Sequence, residues 1–564
     1  MLFPGRAMFM FGVASVSSWK HARGAMRRLP ILALLVAVAA PGAQVQRTNA
    51  AAIETLFKEW RAFQPPKRVA GVYDYRAAAM TTQKTELATY QRRLKAIDTT
   101  GWPIPAQVDY HIVRAEMNGL EFDHRVLQPW KNNPAFYATV FADESDQPAR
   151  EGPHAAGMVE LVWFKRPLSA KDAAAIDSGI RMVPALLEQA RANLTGNQKD
   201  IWNYGTGAIK EQSAVLAAFD TELGTEHATL KSDVAKAKAA TDAFVQWLES
   251  RAASKTGPSG IGVENYNWYL KNVQLLPYTW HDLVGIMELE LARSWSFLAL
   301  EERRNAAVPP LKIVSSADDH TRRFNAAITD YVAYIKDHEL LTMKPYMDRR
   351  LRDRIGRYSD GPREFFTEVD YRDPMVMRTH GFHWFDKGEI AEEPHARAIR
   401  RGGLLYNIFN TRTEGFATEW EEMMMGAGMF DRSPHSRELI YILIAERAAR
   451  ALGDLKMQSN ELTLERAAEL ASANTPRGWL SLKGNLVRGE QHLYLQQPGY
   501  GISYVIGKVE SEKTMQMMQR KLGAAFTVRK FMDGFLAAGQ IPISLVRWEV
   551  TGELTSDLRQ MLRP

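Results

Sequence analysis

Cysteine is absent from all 564 residues. That absence excludes disulfides, thiolate metal sites and a lipid-modified cysteine, so any zinc would need histidine and carboxylate ligands, the set found in catalytic rather than Cys-rich structural sites. Alternating β-branched runs are few, and neither low-complexity segments nor fixed-period repeats occur. A strong net charge is missing too. Of the formal +6, five charges (Arg6, Lys20, Arg23, Arg27 and Arg28) fall in the first 43 residues, which hold no acid, so the remainder carries only +1. A nearly neutral body gives no reason to expect nucleic acid as a partner.

Long apolar runs are scarce as well. "MRRLP" precedes an apolar stretch from Ile31 to Ala40, too short to span a bilayer, and small residues follow. This pattern reads as a secretory signal peptide over residues 1–43 that starts best at Met26, with residues 1–25 an upstream mis-start or an extended n-region and cleavage between Ala39 and Gln46. It implies a periplasmic or secreted protein with no membrane span after processing.

What is present is helical periodicity. From Ala50 onward apolar residues recur every three or four positions, as in "AAIETLFKEWRAF", "PAQVDYHIVRAEMNGLEFDHRVL" and the run from Glu226 to Ser250. The pattern predicts a mainly α chain with a large core and little strand, the strand confined to a hairpin in "PAFYATVFADES" or to "SLVRWEV". "SKTGPSGIG", 254–262, is the clearest linker candidate, dividing an N-terminal helical half (44–253) from a C-terminal one (263–564).

Five segments in order, "LQPWKNNPAFY", "KRPLSAKD" with "MVPALLEQARANL", "NYNWYLKNVQLLPYTWHDL", "EGFATEWEE" and "PGYGISYVIGK" leading into "LGAAFTVRKFMDGFLAAGQIPISLV", give the chain from about Ala51 to about Glu553 a resemblance to a known group. It resembles the bacterial family called domain of unknown function 885. The resemblance implies a large multi-helix fold related to zinc metallopeptidases of the gluzincin type. The family's signature is H-E-x-x-P-G-H-H, followed about 35 residues later by E-G-W-A-L-Y-A-E, whose first glutamate resembles the third gluzincin zinc ligand. Here the second motif stands as "EGFATEWE": Glu414 takes the ligand position and Glu421 the last glutamate, two helical turns on and on the same face.

The first motif is altered. "THGFHWFDKGE" keeps the leading histidine as His380, but Gly381 stands where the general-base glutamate should be, and Asp386 stands where the next histidine should be, the first of the closing pair. Losing such a base costs about 100- to 10,000-fold in rate. His380, His383 and Asp386 would nevertheless form an i, i+3, i+6 row on one helix, and with Glu414 they make a plausible ligand set for zinc first, or manganese or iron. The plainer reading is polar capping around Trp384 and Phe385. Glu389, Glu392 and Glu393 offer a substitute base. The resemblance also implies that Tyr504 lies near the metal as an oxyanion stabiliser, with a buried helix tyrosine as the alternative. Arg412 is read as a carboxylate clamp for a substrate or as a surface ion pair. In the C-terminal segment Phe531, Met532 and Asp533 replace the family's F-H-D. The "DHELL" stretch reads as a solvated helix face, and Met423 to Met425 as core.

Two functions are therefore expected to compete. One is an exported metallopeptidase-like hydrolase acting on peptide or small amide bonds through an altered divalent-metal site, with Tyr504 and Glu421 as catalytic residues. The other is a non-catalytic binding protein that keeps the cleft for peptides or other ligands.

Overall fold

A computed structural model of the protein describes residues 41–563, with side chains from Ala51; the leader reading lies outside the described residues except at its last three positions. Residues 1–47 and 48–564 are separate compact units, and the core and the candidate site belong to the second. As the periodicity predicts, the described chain is mainly α.

Strand is confined to two short pairs. β1 (Arg68–Val69) runs antiparallel to β2 (Val72–Tyr73), and β3 (Val140–Phe141) runs parallel to β4 (Val159–Glu160). Neither expected hairpin forms. In "PAFYATVFADES" the first four residues make a 3-10 turn and only Val140–Phe141 extends, pairing with a strand beyond the next loop. "SLVRWEV" lies within the helix Ile543–Thr551, where burial of Leu545, Val546 and Trp548 outweighs local strand preference.

Helices α1 (Pro41–Phe63) and α2 (Ile104–Phe122) lead into α3 (Lys199–Leu223) and α4 (Ala228–Ala252). Much of that region forms its own apolar cluster around Trp202, Phe219 and Phe244. The larger cluster runs from Ile53 to Leu562, so both halves of the sequence contribute to one core. The 254–262 stretch is tied down by its neighbours: Lys199 N–H donates to Gly257 O at 3.0 Å, and Gly262 N–H to Gln458 O at 2.8 Å.

Helix α5 (Trp280–Asn305) starts at a Thr279–Asp282 capping box, where each residue satisfies the other's backbone N–H. The short α6 (Pro374–His380) is capped by the Asp373 carboxylate, with proline at the first turn, and α7 (Phe382–Glu392) begins after Gly381. α8 (Asn410–Gly426), α9 (Pro434–Gln458), α10 (Leu486–Gln496) and α11 (Ser503–Leu522) complete the surroundings of the site.

α9 is buried on every side along most of its length, the mark of a central helix. α8 and α11 approach through glycine. A Cβ on Gly415 would lie 2.2 Å from Gly507 Cα, and one on Gly507 would lie 2.0 Å from Thr411 O. Only glycine permits this crossing, which brings the turn before α11 onto the Glu414 face of α8.

Candidate metal centre

α6 and α7 are not one helix. The chain turns at Gly381, so His380 closes α6 and His383 opens α7, and the two imidazoles meet edge to face with centroids 5.0 Å apart. Glu414, buried on α8, faces both. Its Oε2 lies 3.2 Å from His383 Nε2 and 3.9 Å from His380 Nε2, and the three ligand atoms all fall within 4.8 Å of one another. Ligands about 2.0–2.1 Å from a tetrahedral zinc are separated by about 3.3 Å, so these spacings bracket the requirement.

Each member is held by a specific neighbour. His380 Nδ1 is 2.9 Å from Glu421 Oε1, and Glu421 also accepts from Arg447 of α9, at 2.6 Å on Oε2 and 2.8 Å on Oε1. Arg447 Nη2 lies 3.1 Å from the same Nδ1. Nδ1 therefore stands between an anionic acceptor and a cationic donor, Arg447 needing its lone pair and Glu421 its proton, and this pair of contacts holds the ring with Nε2 toward Glu414. The two-turn spacing of Glu414 and Glu421 thus spans one imidazole. Glu421 orients a ligand and has no contact with the open side of the cluster.

Glu414 Oε1 is occupied: it accepts from the Tyr500 hydroxyl at 2.5 Å and from Gln147 Nε2 at 2.9 Å, so Oε2 is the free oxygen. His383 has no such partners. Its ring is 3 % exposed, yet neither nitrogen makes a hydrogen bond, the approach to Glu414 being misaligned for one. A buried imidazole with an orphaned Nε2 pointing at a carboxylate oxygen and a second imidazole is what a metal ligand looks like without its ion.

The electrostatics agree. Burial opposes charge on His383, but Glu414 and then Asp146 outweigh it, and the ring is pushed up to about 9. Burial likewise opposes charge on Glu414, yet His383 beside it pulls the carboxyl down to about 2. His380 moves the other way, lowered by burial and then by Arg447. Metal-free, the cluster is therefore a buried ion pair that a divalent cation can replace.

Three sequence expectations need correction. Asp386 does not join the cluster: both its oxygens accept from Arg412, at 3.1 Å each, because the break at Gly381 rotates α7 and ends the assumed row. Arg412 is neither a surface ion pair nor an open clamp, since it is fully buried by that pairing. Glu392 pairs with Arg349 and Arg350, and Glu393 with Lys344, so neither serves as a base; Glu389, pushed up to about 7 by burial, lies outside the cluster. Tyr504 is buried beside Tyr500, centroids 6.0 Å apart, with Arg450 5.1 Å from its ring.

Sequence reasoning also missed the roof of the site. Residues 142–158, between β3 and β4, are fastened by Lys387 Nζ donating to Glu144 Oε2 at 2.7 Å and by Gly152 N–H donating to Gln497 Oε1 at 2.6 Å. Gln147 Nε2 donates to both Asp146 Oδ1, at 3.1 Å, and Glu414 Oε1, which puts Asp146 one amide away from the cluster. Burial, then Asp146, pushes nearby Glu151 up to about 8. The cluster of acids with glycine and proline in "ADESDQPAREGP" was the available signal. At Gly381 itself a Cβ would lie 2.9 Å from Leu351 Cδ2, so a glutamate there would have to push that side-chain tip aside.

Residues 389–550 match the family described as "Bacterial protein of unknown function (DUF885)". No curated protein matches. Among solved structures, the chain is similar to "a putative lipoprotein of unknown function from Shewanella oneidensis", with 15% identity and TM-score 0.63 over 90% of this chain and 99% of that one. It is equally similar to "the putative lipoprotein from Colwellia psychrerythraea", with 15% identity and TM-score 0.63 over 91% and 99% of the two chains. These likenesses establish the fold.

Proposed function

We propose that the protein is an exported metal-dependent hydrolase of peptide or small amide bonds, with a divalent ion, zinc first, held by His380 Nε2, His383 Nε2 and Glu414 Oε2. The observation that carries the reading is the buried, unbonded His383 ring facing two other ligand atoms at metal-compatible spacing. The export reading is supported by the leader pattern, by the absence of any described helix long and apolar enough to cross a membrane, and by the lipoprotein descriptions of the two structural neighbours. With no cysteine, this chain lacks the residue on which a lipoprotein's anchor is built.

A zinc ion in such a site supplies Lewis-acid polarisation of a carbonyl and lowers the pKa of water. The residues do the remainder. Glu421 and Arg447 hold the His380 ring in place, and Tyr500 and Gln147 orient Glu414. The role of the family's missing glutamate is assigned to Asp146, a choice supported by its charge acting on His383 and by its link through Gln147 to Glu414. A second reading, a non-catalytic binding protein, is favoured by Gly381 and by Leu351 filling the space beside it.

A peptide-library assay on the zinc-reconstituted full chain separates the two. The hydrolase reading expects cleavage that falls about 100- to 10,000-fold in Asp146→Asn while zinc content is kept. No cleavage of any library member by zinc-loaded wild type would leave the binding protein.

A further inference from the structure

Beyond the cluster, the described residues form a largely apolar cavity of about 270 Å³ between Gln64–Pro66, α2, the 142–158 loop and the turn at Tyr406–Asn407. Asp123, in the last turn of α2's continuation, lines it among Tyr75, Trp130, Phe136, Tyr269 and Tyr406. Its carboxylate makes no hydrogen bond or ion pair with any described residue, and burial alone pushes it up to about 8. The one lysine or arginine in the lining, Arg150, is engaged by Glu160 at 2.6 Å and stacked over Phe141. His154, whose Nε2 bonds Glu151 O at 2.7 Å, is held neutral by burial.

Three features set this position apart. The half-buried carboxyl has no cation beside it, and its surroundings hold it largely protonated near neutral pH. It sits near a helix C-terminus, where the backbone dipole repels anions. Tyr406 and Asn407 are consecutive non-glycine residues at φ 55° and 50°, a left-handed conformation that costs about 1–2 kcal/mol per residue.

That strained turn has a clear structural result. It lays the Tyr406 ring against α2 where Gly119 leaves room; a Cβ there would lie 2.3 Å from Tyr406 Cγ. Gly119 is one helical turn before Asp123, so ring and carboxylate share a face. The Asp123 charge acts on the hydroxyls of Tyr75, Tyr269 and Tyr406. A lone carboxylate walled by aromatic rings is the arrangement that recognises an ammonium group, through charge and cation–π attraction together.

We infer that this cavity binds the ammonium group of a small amphipathic amine, with Asp123 as counter-ion and the aromatic side chains as walls. The amine's apolar part lies along Met80, Leu120 and Leu127. The inference stands apart from the metal centre and does not depend on it.

The test is calorimetric titration of the full chain at about pH 8.5, where Asp123 is ionised and the amine still protonated, with phenethylamine and with its neutral counterpart, phenethyl alcohol. The wild type should bind the amine about 30-fold or more tightly than the alcohol, the equivalent of about 2 kcal/mol for a desolvated cation among aromatic rings. Asp123→Asn, nearly isosteric, should erase that preference and leave alcohol binding unchanged. Ala149→Trp, which fills the cavity from the loop side, should abolish both, and it decides the matter if the Asn variant fails to fold. Absent amine binding, equal affinity for the two probes, or amine binding that survives either substitution in a folded variant would overturn the inference.

Discussion

Helices α7 and α8 face each other at two levels that resemble one another in burial and charge and differ in how their polar atoms are partnered. At one, Asp386 and Arg412 are 1% and 0% exposed and close on each other through two matched N–H···O contacts at 3.1 Å. At the other, one turn along α7, His383 is as deeply buried but its ring nitrogens bond to nothing, while Glu414 keeps one oxygen free. Burial and charge are common to both. Only the second brings two imidazoles and a carboxylate oxygen together within 4.8 Å, so convergence of ligand atoms, rather than buried polarity as such, distinguishes a candidate site from a structural pair.

The comparison is most easily broken at the closed pair. Arg412→Ala strands a buried carboxylate and should cost about 3–5 kcal/mol in urea unfolding; a loss below about 1 kcal/mol would show that the pair is not closed as described. A smaller effect is expected from Glu421→Gln, which frees His380 Nδ1 from its anionic partner. It should weaken zinc binding about 10- to 100-fold in competition with a chromophoric chelator, and unchanged affinity would mean that His380 is not oriented through Glu421.

The smallest effects sharpen the second level. Tyr500→Phe removes one hydrogen bond to the Glu414 carboxylate and should weaken zinc binding about tenfold, whereas Tyr504→Phe should leave it unchanged. The reverse order would restore Tyr504 to the place the family resemblance gives it. Gln147→Ala should fall between the two, within about threefold, because Tyr500 still holds the same oxygen.

These residues also show where sequence reading stops. The helical class is legible because apolar spacing repeats through most of the chain, and the face shared by Glu414 and Glu421 follows from their seven-residue separation. Helical spacing misplaces Asp386 because an i, i+3, i+6 row presumes an unbroken helix, and Gly381 breaks it. Tyr500 escapes the same reasoning because flanking Gly499 and Gly501 put it on a turn, where helical register carries no information. Gln147 reaches Glu414 across 267 residues, a contact that no local pattern encodes. The Asp123 cavity is assembled from even more scattered segments, and its only local hint, an acid in the last turn of an apolar helix, is common elsewhere.

The central claim is that the cluster is a metal site. It is tested most directly by elemental mass spectrometry on the full chain after incubation with zinc, manganese or iron and desalting, beside His383→Ala. The account predicts about one equivalent of a single metal on the wild type, lost in the variant. No retained metal, or equal retention by the variant, would contradict it.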